Sequence, residues 1–358
     1  MANISLQGAW NFSNRISYRF FSKSFHANLR RWKQLKGKYN GKRVFLIGNG
    51  PSLNKTPLYL LKDEYTMCFN RFGLMTERFC WNPTFFTMSD STVIEDIMSD
   101  INKMIGLCSY TFLLNDFDYR GKDLTKQMPN KDNLLFFYHG FHKFSDTLPF
   151  VRGGMTTAIE GLQILNYLGF DEIILIGVDM NYVIHTSSVS LKKFANGGEI
   201  IQSTADDDPN HFDPRYFGKG AKYSQPNEFI MKEMLKALDE ISIWFKHSTS
   251  TKVFNAGYDS KVNSFERKDF YDILGYSKER INVLFTEVVN KFGFSSISEL
   301  KDETLECVSF EEWDSTRKVI SLPMEEGVRI IKSVILSHIP VGPFEEKIYF
   351  IKRADAID

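Results

Sequence analysis

The chain has no excess of either charge. Its 44 Lys and Arg balance 44 Asp and Glu over 358 residues, so no global field draws it to nucleic acid or another polyanion. Cysteine is scarce: Cys68, Cys80, Cys108 and Cys307 contain no C-x-x-C pair. That excludes a zinc-ribbon spacing and a disulfide frame, and fits small buried thiols in a reducing compartment. No apolar run approaches the ~18 residues of a membrane-spanning helix, and the N-terminus lacks the apolar core of a signal peptide. The expectation is a cytoplasmic protein, with the inner face of the membrane as a place to rest.

Two nucleotide fingerprints are missing as well. The stretch "RVFLIGNGPSL" at 43–53 runs into Gly48-Asn49-Gly50, but the third glycine of G-x-G-x-x-G is absent. An NAD-type fold also wants an acid about 20 residues further on, where this chain has Asn70. G-x-x-x-x-G-K-[ST] does not occur, so there is no Walker lysine. The turn at 48–52 is therefore either a plain strand–helix connection or a mononucleotide site.

What is present is aromatic and α/β-patterned. Aromatic residues make up 15% of the chain, with 32 Phe. Residues 1–41 form a basic leader; through Arg43 the chain carries ten Lys or Arg and no acid, interleaved with Trp10, Phe12, Phe20, Phe21, Phe25 and Trp32. Such a segment suits an anionic membrane surface, or a helix packed on the body with a solvated basic face. Strand-like runs at 43–50, 65–70, 81–90, 110–115, 133–139, 172–182 and 251–257 alternate with helical spacing at 91–106, 156–169 and 228–246. This pattern predicts a Rossmann-like α/β fold with a mainly parallel sheet and helices on both faces. The domain expected from it spans 42–262, and 263–358 reads as a small, mostly helical appendage.

Ligands of open α/β sheets bind beyond the carboxyl ends of the strands. That rule selects Gly48, Asn49, Gly50, Ser52, Asn70, Ser89, Asp90, the 153–157 turn with Thr156 and Thr157, Asp179 to Tyr182, and Asn255. Residues 183–226 show no regular period and read as a long lid loop at that edge. The lid carries "DDDPNHFDPRYFGKG", in which His211 is the natural general base. Asp206, Asp207 and Asp208 there are either solvated or hard-cation ligands.

The motifs "IGNGPSL", "CFNRF", "LGFDEIILIGVDMNY", "NHF" and "VFNAG", in this order, resemble two related families. These are the bacterial family-42 sialyltransferases and the MptE-like 6-hydroxymethylpterin diphosphokinase superfamily, which includes motility-associated glycosyltransferases. The resemblance covers about 42–262. It implies a metal-independent transfer of a sialic acid- or Kdo-like sugar from a CMP donor to a glycan or glycolipid hydroxyl, with no cofactor. Asn49, Ser52, Asn70, Thr156, Thr157 and the glycine turn would meet the nucleotide. Ser89, Asp90 and Arg152 would meet the sugar, His211 would be the base, and Tyr182 or Tyr216 would assist the departing phosphate. In a retaining variant Asp179 would be the nucleophile. The chain departs from the sialyltransferase pattern at two places: Asn181 precedes Tyr182, and Gly154 stands where an arginine is expected. A diphosphokinase using ATP, Mg²⁺ and a pterin-type acceptor is the alternative the second family implies, and a nucleotide-binding module without catalysis is the non-enzymatic one.

Overall fold

The computed structural model describes residues 19–56, 58–77, 81–90, 97–115, 124–140, 143–193 and 199–275, with two short strands at 305–306 and 350–351. Short apolar runs build the sheet. In β1 (Arg43–Ile47), Phe45 and Ile47 join the core on one face while Val44 and Leu46 join the core on the other. A strand apolar on both faces must be covered on both faces. The same holds for β2 (Tyr65–Phe69), β3 (Phe85–Met88), β4 (Tyr110–Leu114) and β7 (Glu172–Ile176). With β5 (Leu134–His139), β6 (Phe150–Val151), β11 (Lys252–Asn255) and β12 (Glu266–Arg267), they form a nine-stranded sheet. Its order is β12-β11-β7-β1-β2-β3-β4-β5-β6, and every pairing is parallel.

Helices cover both faces, as the alternation predicts. α2 (Met98–Leu107) and α5 (Phe270–Leu274) pack on one side; α3 (Thr157–Leu168) and α4 (Glu228–Ser248) pack on the other. α3 ends on Gly169 at φ +92°, the left-handed cap its position suggests. The helix expected over 91–106 is seen at 98–107, and 91–96 lie outside the described residues. Instead of a regular helix after the first turn there are two 3₁₀ segments, 51–55 and 58–61. Thr56 precedes a proline and is extended (φ −94°, ψ 123°), which interrupts the helix between them.

Helix α1 (Lys23–Leu35) falls within the basic leader, and its inner side is buried. Trp32, fully buried, donates from Nε1 to the Phe136 carbonyl at 2.8 Å. Asn28 exchanges two hydrogen bonds with the Phe136 backbone (2.7 and 2.9 Å). β6 pairs with β5 only at Tyr138 and His139. Along the rest of that edge side chains of α1 take the strand partner's place, with Asn28 and Trp32 on Phe136 and Arg31 on the Leu134 carbonyl (2.9 Å).

Residues 183–226 are not an irregular loop. β8 (Ser188–Lys193), β9 (Glu199–Ser203) and β10 (Lys222–Gln225) form a separate antiparallel sheet. β8 is almost wholly exposed, and the sheet buries little beyond Ile201 and Tyr223. So thin a core leaves no alternation to read. β13 (Leu305–Glu306) pairs with β14 (Phe350–Ile351); the helical character expected beyond 275 lies outside the described residues.

Candidate active site

Strands β1 to β6 progress across the sheet in one direction, and β7 returns to the other side of β1. The gap between β1 and β7 is thus the topological switch point, where open sheets bind ligands. Gly48 and Gly177 close it. A Cβ on Gly48 would stand 2.2 Å from the Gly177 carbonyl oxygen, so no side chain fits. Gly50 is bounded likewise by Asp179, whose Oδ2 would lie 2.1 Å from an added Cβ.

Asp179 explains why this turn does not follow the dinucleotide pattern. Its Oδ2 accepts from Ser52 N at 2.9 Å and its Oδ1 from Ser52 Oγ at 2.5 Å. The backbone donor that opens the turn already holds an anion, the protein's own carboxylate. Burial pushes the Asp179 carboxyl up, while the two Ser52 bonds act in the opposite direction.

A cleft of about 340 Å³ opens beside this point. Polar residues at the ends of successive strands line it: Asn49 after β1, Asn70 after β2, Ser89 and Asp90 after β3, and His139 at the end of β5. Thr157 on α3 ties the middle of the row together, donating to Asn70 Oδ1 (3.2 Å) and sharing a hydrogen bond with Ser89 Oγ (2.8 Å). Asn70, Met155 and Met180 all line the cleft with positive φ (55°, 60° and 50°). Strained backbone of this kind collects at binding sites. Asn49 donates from Nδ2 to the Phe69 carbonyl (3.0 Å), but its Oδ1 is buried with no hydrogen-bond partner among the described residues. A buried acceptor in that state is costly unless a ligand supplies a donor.

The opposite wall comes from 206–226. The Asn49 carbonyl accepts from Phe212 N at 2.9 Å, which fastens this segment to the first turn. His211, next in the chain, donates from Nδ1 to Asp208 Oδ2 at 2.8 Å. A carboxylate can only accept, so the proton sits on Nδ1 and Nε2 is the basic nitrogen. The imidazole stacks on Tyr216 (centroids 3.7 Å apart, planes at 2°). Tyr182 meets the same ring edge-on at 6.4 Å. Burial, with the Asp208 and Asp179 carboxylates near, pushes the Tyr182 hydroxyl up to about 12; burial raises Tyr216 further. Both phenols therefore stay protonated at neutral pH and can donate.

The structure brings Asn49, Gly50, Asn70, Ser89, Asp90, Thr156, Thr157, Asp179, Tyr182, His211 and Tyr216 to one cleft. Gly48 and Ser52 shape it from behind through Gly177 and Asp179. Two residues expected there are elsewhere. Arg152 pairs with Glu240 on α4 and bonds Gln163 through its backbone. Asn255 is spent on Ser260 and the Val262 carbonyl, bracing the turn after β11. The acid triplet does not converge: Asp206 accepts from Lys219 N, Asp207 from the His185 imidazole, and Asp208 holds His211. Sequence reasoning missed Asp208 as the partner of His211, although the i, i+3 spacing was visible. It also missed His139, which hydrogen-bonds Glu160 Oε1 at 2.9 Å inside the cleft. The rule that picked Asn70 and Ser89, a polar residue closing an apolar strand, would have found His139.

By fold and site the chain is an α/β protein with a polar cleft at the switch point of a parallel sheet, where open sheets of this kind bind ligands. Residues 20–185 match the family described as 6-hydroxymethylpterin diphosphokinase MptE-like, the superfamily its motifs resemble. No curated protein matches the chain. Among solved structures it is similar to the MAf glycosyltransferase from Magnetospirillum magneticum AMB-1, at 14% identity and a TM-score of 0.37, over 74% of this chain. The match spans 46% of that chain, under half its length. It is also similar to the sialyltransferase CstII from Campylobacter jejuni, solved in complex with a substrate analogue, cytidine-5'-monophosphate. There the identity is 13% and the TM-score 0.34, over 64% of this chain and 85% of that one.

Proposed function

We propose that this protein is a glycosyltransferase that moves an acidic, sialic acid- or Kdo-like sugar from a CMP donor to a hydroxyl of a glycan or glycolipid. The observation that carries the reading is the His211–Asp208 pair set in the cleft between two protonated phenols. In the proposed step, His211 Nε2 takes the proton of the acceptor hydroxyl. The acceptor oxygen bonds to the anomeric carbon as the bond from that carbon to the phosphate oxygen breaks. CMP leaves with the electron pair, and Tyr182 or Tyr216 donates to its phosphate. Asp179 has both oxygens engaged by Ser52, which suits a brace for the turn better than a nucleophile and favours inversion. The buried Asn49 Oδ1 and the Asn70–Thr157 pair are assigned to the nucleotide.

Among the described residues no helix is long and apolar enough to cross a membrane. We assign the leader, residues 1–40, to contact with a membrane surface through its exposed residues only, since Phe25, Trp32 and Leu35 are buried in the core. Phe20 and Phe21, 71% and 82% exposed beside Arg19 and Lys23, support this. The second reading, a diphosphokinase, is carried by the description of the matching family. Thermal-shift measurements with CMP, CDP, ATP and NAD, each with and without EDTA, separate the two. Stabilisation by CMP that EDTA leaves unchanged is the expected result. A response to ATP with Mg²⁺ alone overturns the glycosyltransferase reading.

A further inference from the structure

Glu160 lies in the first turn of α3, 2% exposed, between the core residues Ile159 and Leu162. Its Oε1 is held by His139 Nε2, while Oε2 is buried with no hydrogen-bond partner among the described residues. Both residues line the cleft. β5, which carries His139, lies four strands across the sheet from β1, to which the His211 segment is fastened. Space is kept for the imidazole: a Cβ on Gly153 would stand 3.0 Å from His139 Nε2. An unpartnered buried carboxylate oxygen is expensive in the free protein and accounts for itself only when a donor arrives.

We propose that Glu160 and His139 read the transferred sugar, with Glu160 Oε2 accepting a hydrogen bond from a hydroxyl or acylamino N–H at the β5 end of the cleft. This rests on the glycosyl-transfer reading above. A carboxylate repels a second carboxylate, so the acidic group of the sugar turns away from this end. The described lining holds Asp90, Glu160 and Asp179 and no Lys or Arg, so no cation draws the acidic group toward this end. Specificity then comes from the sugar's hydrogen-bond donors and not from an arginine clamp.

The test is calorimetric titration of the full chain and of Glu160→Gln with CMP, CMP-N-acetylneuraminate and CMP-Kdo, together with melting of the ligand-free proteins. Glutamine keeps the shape and the His139 contact but removes the charged acceptor. The expected result is unchanged CMP affinity, with at least about a tenfold loss for a CMP-sugar that the wild type binds more tightly than CMP. The ligand-free variant should melt no lower than the wild type. Three results overturn the proposal: equal CMP-sugar affinity in both proteins, a wild type that binds CMP and both CMP-sugars alike, or a ligand-free variant that melts lower, which makes Glu160 a structural residue. Absence of any CMP binding strikes the glycosyl-transfer reading instead, and the melting comparison still judges Glu160 by itself.

Discussion

Replacing Asp208 with asparagine moves one proton and takes the acceptor from one backbone N–H. Asp208 is buried, its side chain 1% exposed, and its Oδ2 accepts from His211 Nδ1 and from Phe217 N. Its Oδ1 accepts from Asn210 N at 2.8 Å. An asparagine oxygen can keep one of these backbone donors, so the loop retains an anchor. The amide nitrogen then donates toward His211, whose Nδ1 must become the acceptor. The proton moves to Nε2, and the nitrogen facing the acceptor hydroxyl is no longer basic. General-base catalysis is worth about 10²–10⁴ in rate, or about 3–5 kcal/mol of barrier at ~1.36 kcal/mol per tenfold. The expected outcome for Asp208→Asn is therefore a fall of that size in kcat, read as CMP release from a CMP-sugar, with CMP affinity within about twofold of the wild type. His211→Ala should lose a similar amount. The double variant should lose no more than the worse single one, because the pair acts as a unit. A kcat within about threefold of the wild type in Asp208→Asn, at unchanged melting temperature, refutes the general-base assignment.

Asn49→Ala deletes the unpartnered acceptor at the switch point, and CMP affinity should drop by about 1–3 kcal/mol in a binding titration; unchanged affinity would mean that the nucleotide sits elsewhere. Gly48→Ala puts a Cβ against the Gly177 carbonyl. Overpacking there should cost about 1–3 kcal/mol and lower the melting temperature by at least a few degrees, and an unshifted melt would show that β1 and β7 separate freely. Arg152→Ala breaks a partly exposed ion pair with Glu240 (side chains 27% and 37% exposed), worth up to about 1 kcal/mol. Donor affinity should stay within about threefold, whereas a tenfold loss would return Arg152 to the sugar site.

The parallel sheet was legible before any coordinates because its signal is local. A four-residue apolar run such as 173–176, closed by a glycine, reads as a strand buried on both faces. The run 157–168 ending on Gly169 reads as a helix with its cap, and all of it but Asn166 is buried. The ends of those runs then named most of the cleft, since parallel strands joined by crossovers put all their carboxyl ends on one edge. The small antiparallel sheet was illegible for the opposite reason: β8 buries almost nothing, so its sequence carries no periodic constraint.

The sequence by itself determined the α/β class, the alternation of the main strands and helices of the parallel sheet, and most of the polar turn residues, because each follows from hydrophobic period and turn chemistry over a few neighbours. Only the tertiary structure decided which polar groups face one another. That Asp179 fills the turn over Ser52, 127 positions away, follows from β7 returning beside β1. That Arg152 is drawn off to Glu240, and that Glu160 is left with an empty oxygen beside His139, follows from how α3 and α4 pack on the sheet. Hydrogen bonds between distant positions leave no period in the chain, and they are what turns a row of strand ends into a site.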